Sequence, residues 1–131
     1  ALNILNVREI IAMRKITPVP QMPDFTLGIV NIRGEIIPVF DLRKKFFIAE
    51  KKNNRFTRIV VANVDNIVMG FVVDEILDNI RFSPSQIDPP PPVKMKINKN
   101  CIYGIGEVSG RMIIILDFKK IDQDIKHSLF E

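Results

Sequence analysis

The chain has 131 residues and a formal net charge of +4, with 47% apolar and 26% charged residues. These totals predict a folded protein of one domain or of two very small ones. One cysteine excludes an internal disulfide, and the longest apolar run, Met112–Leu116, is far shorter than the ~20 residues of a membrane-spanning helix. No export signal is visible, so we expect a cytoplasmic protein without direct membrane insertion.

The first half of the chain predicts a strand, a loop, a hairpin and a short helix, in that order. A strand ends at Val7–Ile10, and a proline-marked loop follows at Ile16–Pro20. Residues Leu27–Leu42, LGIVNIRGEIIPVFDL, show two apolar runs around a glycine, which is the pattern of a β-hairpin. Asp41 then stands where the N-cap of a helix is expected.

The second half of the chain repeats this order. Residues Tyr103–Phe118, YGIGEVSGRMIIILDF, align with the first hairpin without a gap, and five of the sixteen positions are identical. A strand end at Val73–Ile76 and a proline-marked loop at Ile87–Pro91 precede this second hairpin. Between the two copies, Arg55–Val64 and Ile67–Ile76 predict a further hairpin around a two-residue turn.

A chain that repeats one hairpin predicts a mainly β fold of two small, similar barrels. The repeat units are approximately residues 1–50 and 67–121, each with a short capping helix, and Ile121–Phe130 is expected to form a C-terminal helix. Because Ala1 already lies inside the match to the second copy, we expect one more strand upstream of it.

Candidates for catalysis and for metal binding are few. His127 is the single histidine and lies in a polar tail, and Cys101 has no histidine near it in sequence. Asp41 and Asp117 each follow a strand and precede a helix, which favours capping over acid–base chemistry. The sequence therefore predicts no enzyme activity, no metal and no cofactor.

The positive charge does not point to a nucleic-acid partner. The lysines occur as scattered pairs, and aromatic residues do not interleave with them as single-strand binding requires. A small basic barrel that binds nucleic acid stays a remote alternative.

Arg33 is the strongest candidate for a functional residue. It directly precedes the glycine of the first hairpin, and the second copy has Ser109 at the same place. A guanidinium in one copy of a shared apolar frame indicates a role specific to that copy, although a surface arginine paired with a nearby acid would also explain it. Glu9 is a weaker candidate, because Glu75 holds the matching position.

The strings VREI, ITPVP, GIVNIRGEIIPVFDLR and GFVVDEI resemble those of the CheW family of chemotaxis coupling proteins. The resemblance continues through the second hairpin and covers essentially the whole chain. It implies two intertwined SH3-like β-barrels around a shared apolar core. It also implies a scaffold that couples the cytoplasmic tips of methyl-accepting chemotaxis receptors to the regulatory domain of the histidine kinase CheA in signalling arrays.

The resemblance further implies two sets of contact residues, and it leaves two related roles open. The same module occurs in CheV-type adaptors and in the regulatory region of the kinase itself. The receptor-binding positions implied by the family motif are Arg33, Glu9, Val7, Gly28 and Gly70, and those facing the kinase are Asp88 and Val93.

Overall fold

The structure, a computed structural model, describes residues 2, 6–45, 52–64, 66–77, 80–90, 101–117 and 119–123. In these ranges the fold is mainly β, as predicted, with seven strands in two sheets and short helices. No helix there combines the length and the apolar character that crossing a bilayer requires. The strands are β1 (Val7–Ala12), β2 (Thr26–Ile32), β3 (Glu35–Asp41), β4 (Arg58–Val64), β5 (Ile67–Val73), β6 (Ile102–Val108) and β7 (Arg111–Leu116), and the helical segments are α1 (Leu42–Lys45), a 3-10 turn at Pro84–Gln86 and residues 119–123.

The chain divides into two compact units. The N-unit is Leu5–Leu77 and holds β1 to β5, whereas the C-unit is Ala1–Ile4 with Asp78–Glu131 and holds β6 and β7. The predicted middle hairpin, β4 and β5, therefore belongs to the N-unit. The repeat boundaries expected from the sequence, 1–50 and 67–121, stay a prediction.

The five strands of the N-unit form one sheet in the order β1-β4-β5-β3-β2. Neighbouring strands run antiparallel except β3 and β5, which run parallel. The chain segment after β1 pairs with β2, the opposite edge of the sheet, because Thr17 and Ile29 exchange two backbone hydrogen bonds of 2.9 Å. The sheet therefore closes on itself as a small barrel.

Alternating apolar side chains fill this barrel. Successive side chains of a strand point to opposite faces, so residues two apart in β2, β3 and β4 share the inner face. Each fully buried side chain of this kind contributes about 1.5–3 kcal/mol of transfer free energy. The core residues are Val30, Ile32, Ile37, Val39, Ile59, Val61 and Val72, and none is more than 4% exposed.

Both repeated hairpins turn in the same way. The two turn residues have positive φ in each copy: 51° and 86° at Arg33 and Gly34, and 51° and 76° at Ser109 and Gly110. Two consecutive residues of this kind form a type I′ turn, whose twist matches that of the flanking strands. The predicted hairpins are therefore confirmed, and the middle hairpin is confirmed by the pairing of β4 with β5.

The C-unit repeats the backbone contacts of the N-unit. Asp88 and Ile105 exchange two backbone hydrogen bonds of 2.9 and 2.8 Å, as Thr17 and Ile29 do. The pairing register shifts between Ile102 and Gly104, as it does at the matching place in β2. The duplication thus extends from the sequence to individual hydrogen bonds.

Two strand boundaries differ from the sequence prediction. β1 continues to Ala12, so Glu9 lies inside the strand and not at its end. β5 ends at Val73, three residues before the predicted Ile76. At Asp74 the chain leaves the sheet, and the Asp74 carboxylate accepts a hydrogen bond of 2.7 Å from Arg43. The end of β5 thus coincides with a contact between two side chains, Asp74 and Arg43, that are far apart in sequence.

Asp41 and Asp117 cap the helices that follow them, as predicted. Oδ1 of Asp41 accepts a hydrogen bond of 2.9 Å from the backbone N–H of Arg43. Oδ1 of Asp117 accepts hydrogen bonds from the backbone N–H groups of Lys119 and Lys120, at 3.0 and 3.3 Å. Each aspartate therefore satisfies N–H groups that the first turn of a helix leaves without a helical partner.

Asp41 has a second role that Asp117 does not share in sequence, because Lys119 replaces Arg43 in the second copy. The Arg43 guanidinium donates to both carboxylate oxygens of Asp41, at 3.0 and 2.9 Å. Only 2% of the Asp41 side chain and 11% of the Arg43 side chain are exposed. Burial alone would raise the pKa of Asp41, but the hydrogen bonds and charge of Arg43 outweigh burial, and the pKa is lowered.

We expect Asp41→Asn to lower the free energy of unfolding by about 3–5 kcal/mol at neutral pH, because it leaves a buried guanidinium without its main counter-charge. A carboxyl pKa that is lowered on folding stabilises the protein above the unfolded pKa, and this stabilisation is lost as pH falls through the folded pKa. The difference between the variant and the wild type therefore shrinks in acid. Urea denaturation at neutral and acidic pH measures both effects.

The matched control for this prediction is Asp117→Asn. Asparagine caps a helix about as well as aspartate, so we expect a change below about 1 kcal/mol. Equal losses in the two variants would contradict a special role for the Asp41–Arg43 pair.

Candidate functional site

Arg33 is presented to solvent on a stiff turn. It occupies the first position of the turn between β2 and β3, and 68% of its side chain is exposed. The Oδ1 atom of Asn31 accepts a hydrogen bond of 2.8 Å from the backbone N–H of Gly34, which braces the same turn. The braced turn thus fixes the backbone from which the Arg33 side chain projects, which lowers the entropic cost of binding.

Glu9 is the partner of Arg33 within the protein. The Nη2 atom of Arg33 donates a hydrogen bond of 2.5 Å to Oε2 of Glu9. This hydrogen bond is the main cause that lowers the pKa of Glu9, and the charges of Arg33, Arg8 and Arg14 add to it. The same bond raises the pKa of Arg33. The structure therefore brings together the two charged residues that the family motif implies.

A second ion pair, between Arg8 and Glu35, lies beside the first. The Nη1 atom of Arg8 is 2.9 Å from Oε2 of Glu35. Each pair joins one residue of β1 to one residue of the hairpin. β1 supplies the base of the first pair, Arg8, and the acid of the second, Glu9. We call Arg8–Glu35 and Arg33–Glu9 the crossed pairs. Arg8 and Glu35 were not among the sequence candidates. Arg8 is next to Glu9 in sequence, and Glu35 is next to the turn. These positions would have indicated an ion pair only if β1 had been known to approach the hairpin.

Glu9, Gly70 and Gly28 lie on one row that crosses the N-unit sheet. Along this row Glu9 pairs with Val61, Val61 with Gly70, Gly70 with Val39, and Val39 with Gly28. Residues paired in this way point to the same face of a sheet. Because the two valines belong to the core, both glycines lie on the inner face of the barrel, and both are buried.

Both glycines have packing reasons to lack a side chain. A Cβ on Gly70 would lie 3.0 Å from the Ile59 side chain and 3.4 Å from that of Val39. Gly28 has a φ of +144°, and a Cβ there would lie 2.1 Å from the Thr17 carbonyl oxygen. Gly28 thus permits the hydrogen bonds that close the barrel. The receptor-contact role implied by the family for these two glycines stays a prediction.

Val7 lies two residues before Glu9 on β1 and is half-buried. The pairing register of β1 with β4 shifts between Val7, opposite Ala62, and Glu9, opposite Val61. Such a bulge increases the local twist of a strand and re-aims its side chains. Val7 and Glu9 therefore lie together at the irregular part of β1.

The predicted kinase contact falls on the C-unit and only partly on the described residues. Asp88 is exposed, and its backbone pairs with Ile105. Val93 lies outside the described residues. An open cleft of about 260 Å³ adjoins Asp88, and its lining consists of Pro84, Ile87, Asp88, Pro89 and Tyr103.

We expect Arg33→Ala to raise the pKa of Glu9 toward its usual range, because the variant removes the hydrogen bond that lowers it. An NMR titration of the Glu9 carboxyl carbon measures this change. Arg111→Ala is the control, since Arg111 is an arginine beside the turn of the other hairpin and is expected to leave Glu9 unaffected. A Glu9 titration that is the same with and without Arg33 would contradict the pairing.

We also expect Gly28→Ala to destabilise the fold by at least about 3 kcal/mol, because the added Cβ collides with backbone atoms that cannot move independently. Gly34→Ala is the control. Gly34 also has a positive φ, but nothing lies within 4 Å of its Cβ position, so only the backbone cost of about 1–2 kcal/mol applies. Thermal or urea denaturation compares the two, and similar losses would contradict the close approach of Thr17.

Comparison with known proteins agrees with this fold. The chain matches the CheW-like domain family over residues 1–126. It is 36% identical over 121 residues to the chemotaxis protein CheW of Helicobacter pylori, covering 92% of this chain and 73% of that protein. It is 35% identical over 125 residues to the chemotaxis protein CheW of Thermotoga maritima, covering 95% of this chain and 81% of that protein.

A solved structure is similar as well. The crystal structure of the scaffolding protein TtCheW from Thermoanaerobacter tengcongensis superposes with a TM-score of 0.82 at 36% sequence identity, covering 88% of this chain and 75% of that one. Family, sequence and fold thus agree, and the resemblance found in the sequence motifs is confirmed. The chain belongs to the CheW-like domain family.

Proposed function

We propose that this protein is a chemotaxis scaffold that couples the cytoplasmic tips of chemoreceptors to the histidine kinase CheA. The observation that carries the proposal is the exposed Arg33 on a braced turn, paired with Glu9. Its counterpart in the otherwise matching second hairpin is Ser109. The similar proteins, a chemotaxis protein and a scaffolding protein, support the same role.

Receptor recognition on this proposal is an exchange of ion-pair partners. Arg33 and Glu9 form a solvent-accessible pair, and such pairs hold little net stability, so they open readily. A guanidinium binds a carboxylate in a planar, two-point geometry. A carboxylate or carbonyl group on the helical receptor tip therefore takes the place of Glu9, while the apolar side of β1 at Val7 contacts an apolar part of the helix.

The kinase contact near Asp88 is the second half of the proposal. The open cleft beside Asp88 exposes Tyr103 and two prolines, and aromatic side chains are enriched at protein interfaces. We propose that this face of the C-unit contacts the regulatory domain of the kinase, and that Val93, which lies outside the described residues, is a further contact residue. No part of this role needs catalysis, a cofactor, nucleic acid or membrane insertion, and the protein acts in the cytoplasm, recruited to receptor arrays.

We expect Arg33→Ala to weaken binding to a receptor-tip fragment by about tenfold or more, since a partner charge loses its counterpart at the interface. Thermal stability is expected to change little, because alanine and arginine bear the same Cβ at this positive-φ position. Binding to the regulatory domain of CheA is expected to persist. Separate pull-down or calorimetric titrations with the two partners measure these effects.

Arg111→Ala is the control for the receptor experiment, because it removes an exposed arginine beside the turn of the other hairpin. We expect it to bind the receptor fragment normally. An Arg33→Ala variant that unfolds, or that binds the receptor as the wild type does, would overturn the assignment.

A further inference from the structure

The crossed pairs carry four charges that act on one another. The hydrogen bond from Arg33 is the main cause that lowers the pKa of Glu9, and the charge of Arg8 adds to it. The hydrogen bond to Glu9 is likewise the main cause that raises the pKa of Arg33, and the charge of Glu35 adds to it. Each pair thus lies within reach of the charges of the other, so a partner that opens one pair also affects the second.

In each pair the hairpin residue is the more exposed member. The exposed fraction of the side chain is 68% for Arg33 and 23% for Glu9. It is 43% for Glu35 and 38% for Arg8. Exposed ion pairs hold little net stability, so both pairs can exchange partners readily. The tip of the hairpin therefore offers an incoming surface a base and then an acid, one on each side of Gly34.

The spacing of Arg33 and Glu35 matches that of side chains on one face of an α-helix. The two residues are two positions apart, so their Cα atoms are separated by at most roughly 7 Å. On a helix, the Cβ atoms of residues three or four positions apart are separated by about 5–6 Å. An acid and a base that are one helical turn apart can therefore meet Arg33 and Glu35 at the same time.

Each charge of the crossed pairs keeps an opposite charge nearby during such an exchange. When the two hairpin residues bind a helix, Arg8 and Glu9 remain together on β1. They are neighbours in sequence, and the charge of Arg8 already favours the ionised form of Glu9. The exchange therefore avoids the cost of leaving a charge at an interface without its counter-charge.

The second copy of the repeat carries opposite charges at the positions of Arg8 and Glu35. Asp74 matches Arg8, and Arg111 matches Glu35. The turns of the two hairpins nevertheless have the same geometry, so the shared frame requires neither sign of charge at these positions. A pair that the frame does not require, and that lies beside the candidate receptor site, is suited to discriminate between partners.

Exposed isoleucines follow both acids of the crossed pairs in sequence. Ile10 follows Glu9 on β1 and is 47% exposed, and Ile36 follows Glu35 on β3 and is 59% exposed. A small ion would leave this apolar area in contact with water. An amphipathic helix, in contrast, carries apolar residues beside its charged ones. The surface thus fits a helix better than a free ion.

We propose that the Arg8–Glu35 pair selects which receptor helix is bound. Arg33 binds an acid of the receptor tip, and Glu35 releases Arg8 and binds a base that lies one helical turn from this acid. A helix with a second acid in place of the base is rejected, because like charges then meet at Glu35. This inference rests on the proposed coupling function and adds a specificity-determining pair to it.

The experiment reverses the pair in the full chain with the double variant Arg8→Glu/Glu35→Arg, which keeps the net charge and lets an ion pair form again. We expect it to bind a receptor-tip fragment at least about tenfold more weakly than the wild type does. Binding is then measured to fragments in which each lysine and arginine of the tip is replaced in turn by glutamate. One of these fragments is expected to restore the affinity of the double variant and to bind the wild type weakly.

The matched control is Glu107→Arg/Arg111→Glu, which exchanges an acid and a base near the tip of the hairpin in the C-unit. Glu107 lies on β6 opposite Met112, and Arg111 is the first residue of β7. The control also keeps the net charge, and we expect it to bind every fragment as the wild type does. Circular dichroism melts verify that both double variants fold.

The outcomes separate this inference from the function on which it rests. Weaker binding of the Arg8/Glu35 variant, restored by one charge reversal in the fragment, supports selection by the pair. Wild-type affinity in that variant overturns the inference, and a loss in Arg33→Ala in the same assay leaves the coupling function standing. A loss that no reversal restores, or that the control shows equally, also overturns the inference. A wild-type chain that binds no receptor fragment overturns the proposed function, and the inference with it.

Discussion

The close approach of the Thr17 backbone to Gly28 is the constraint on which the rest of the N-unit depends. Two hydrogen bonds join Thr17 to Ile29, and they can form only because position 28 has no Cβ. This contact turns a twisted sheet into a closed barrel and brings β1 beside the hairpin. The same solution recurs in the C-unit, where Gly104 allows the backbone of Asp88 to approach. Closure against a glycine is therefore the shared architecture of both copies.

The two copies share their backbone features but differ in their charged side chains. The type I′ turns, the bulges and the capping aspartates recur because each satisfies a local backbone requirement. The ion pairs of Arg33 and Arg43, in contrast, involve side chains that differ between the copies. Ser109 stands in place of Arg33, and Lys119 stands in place of Arg43. The two copies thus differ in charge while they share the same turns and bulges.

Local patterns were sufficient to predict the hairpins and the caps, because turn chemistry and alternation act over a few residues. The family resemblance placed Arg33 and Glu9 in one candidate site, but their ion pair was not predicted. The Arg8–Glu35 pair was missed, because it depends on closure of the barrel and on the bulge in β1, neither of which has a local sequence signal. The early end of β5 was missed for a similar reason: its contact at Asp74 comes from Arg43, 31 residues away. Local sequence patterns therefore do not show which distant segments of the chain come into contact.

The pairing of Glu9 with Arg33 makes Glu9 a tethered competitor for any external carboxylate. An intramolecular group acts at an effective concentration that a free partner must exceed. The affinity of Arg33 for an outside acid is therefore a difference between two similar bonds, and the resulting complex can exchange quickly. In the coupling role proposed above, fast exchange would let a misplaced subunit be replaced while an assembly grows, so the Glu9–Arg33 pair would tune the reversibility of binding and not only its strength.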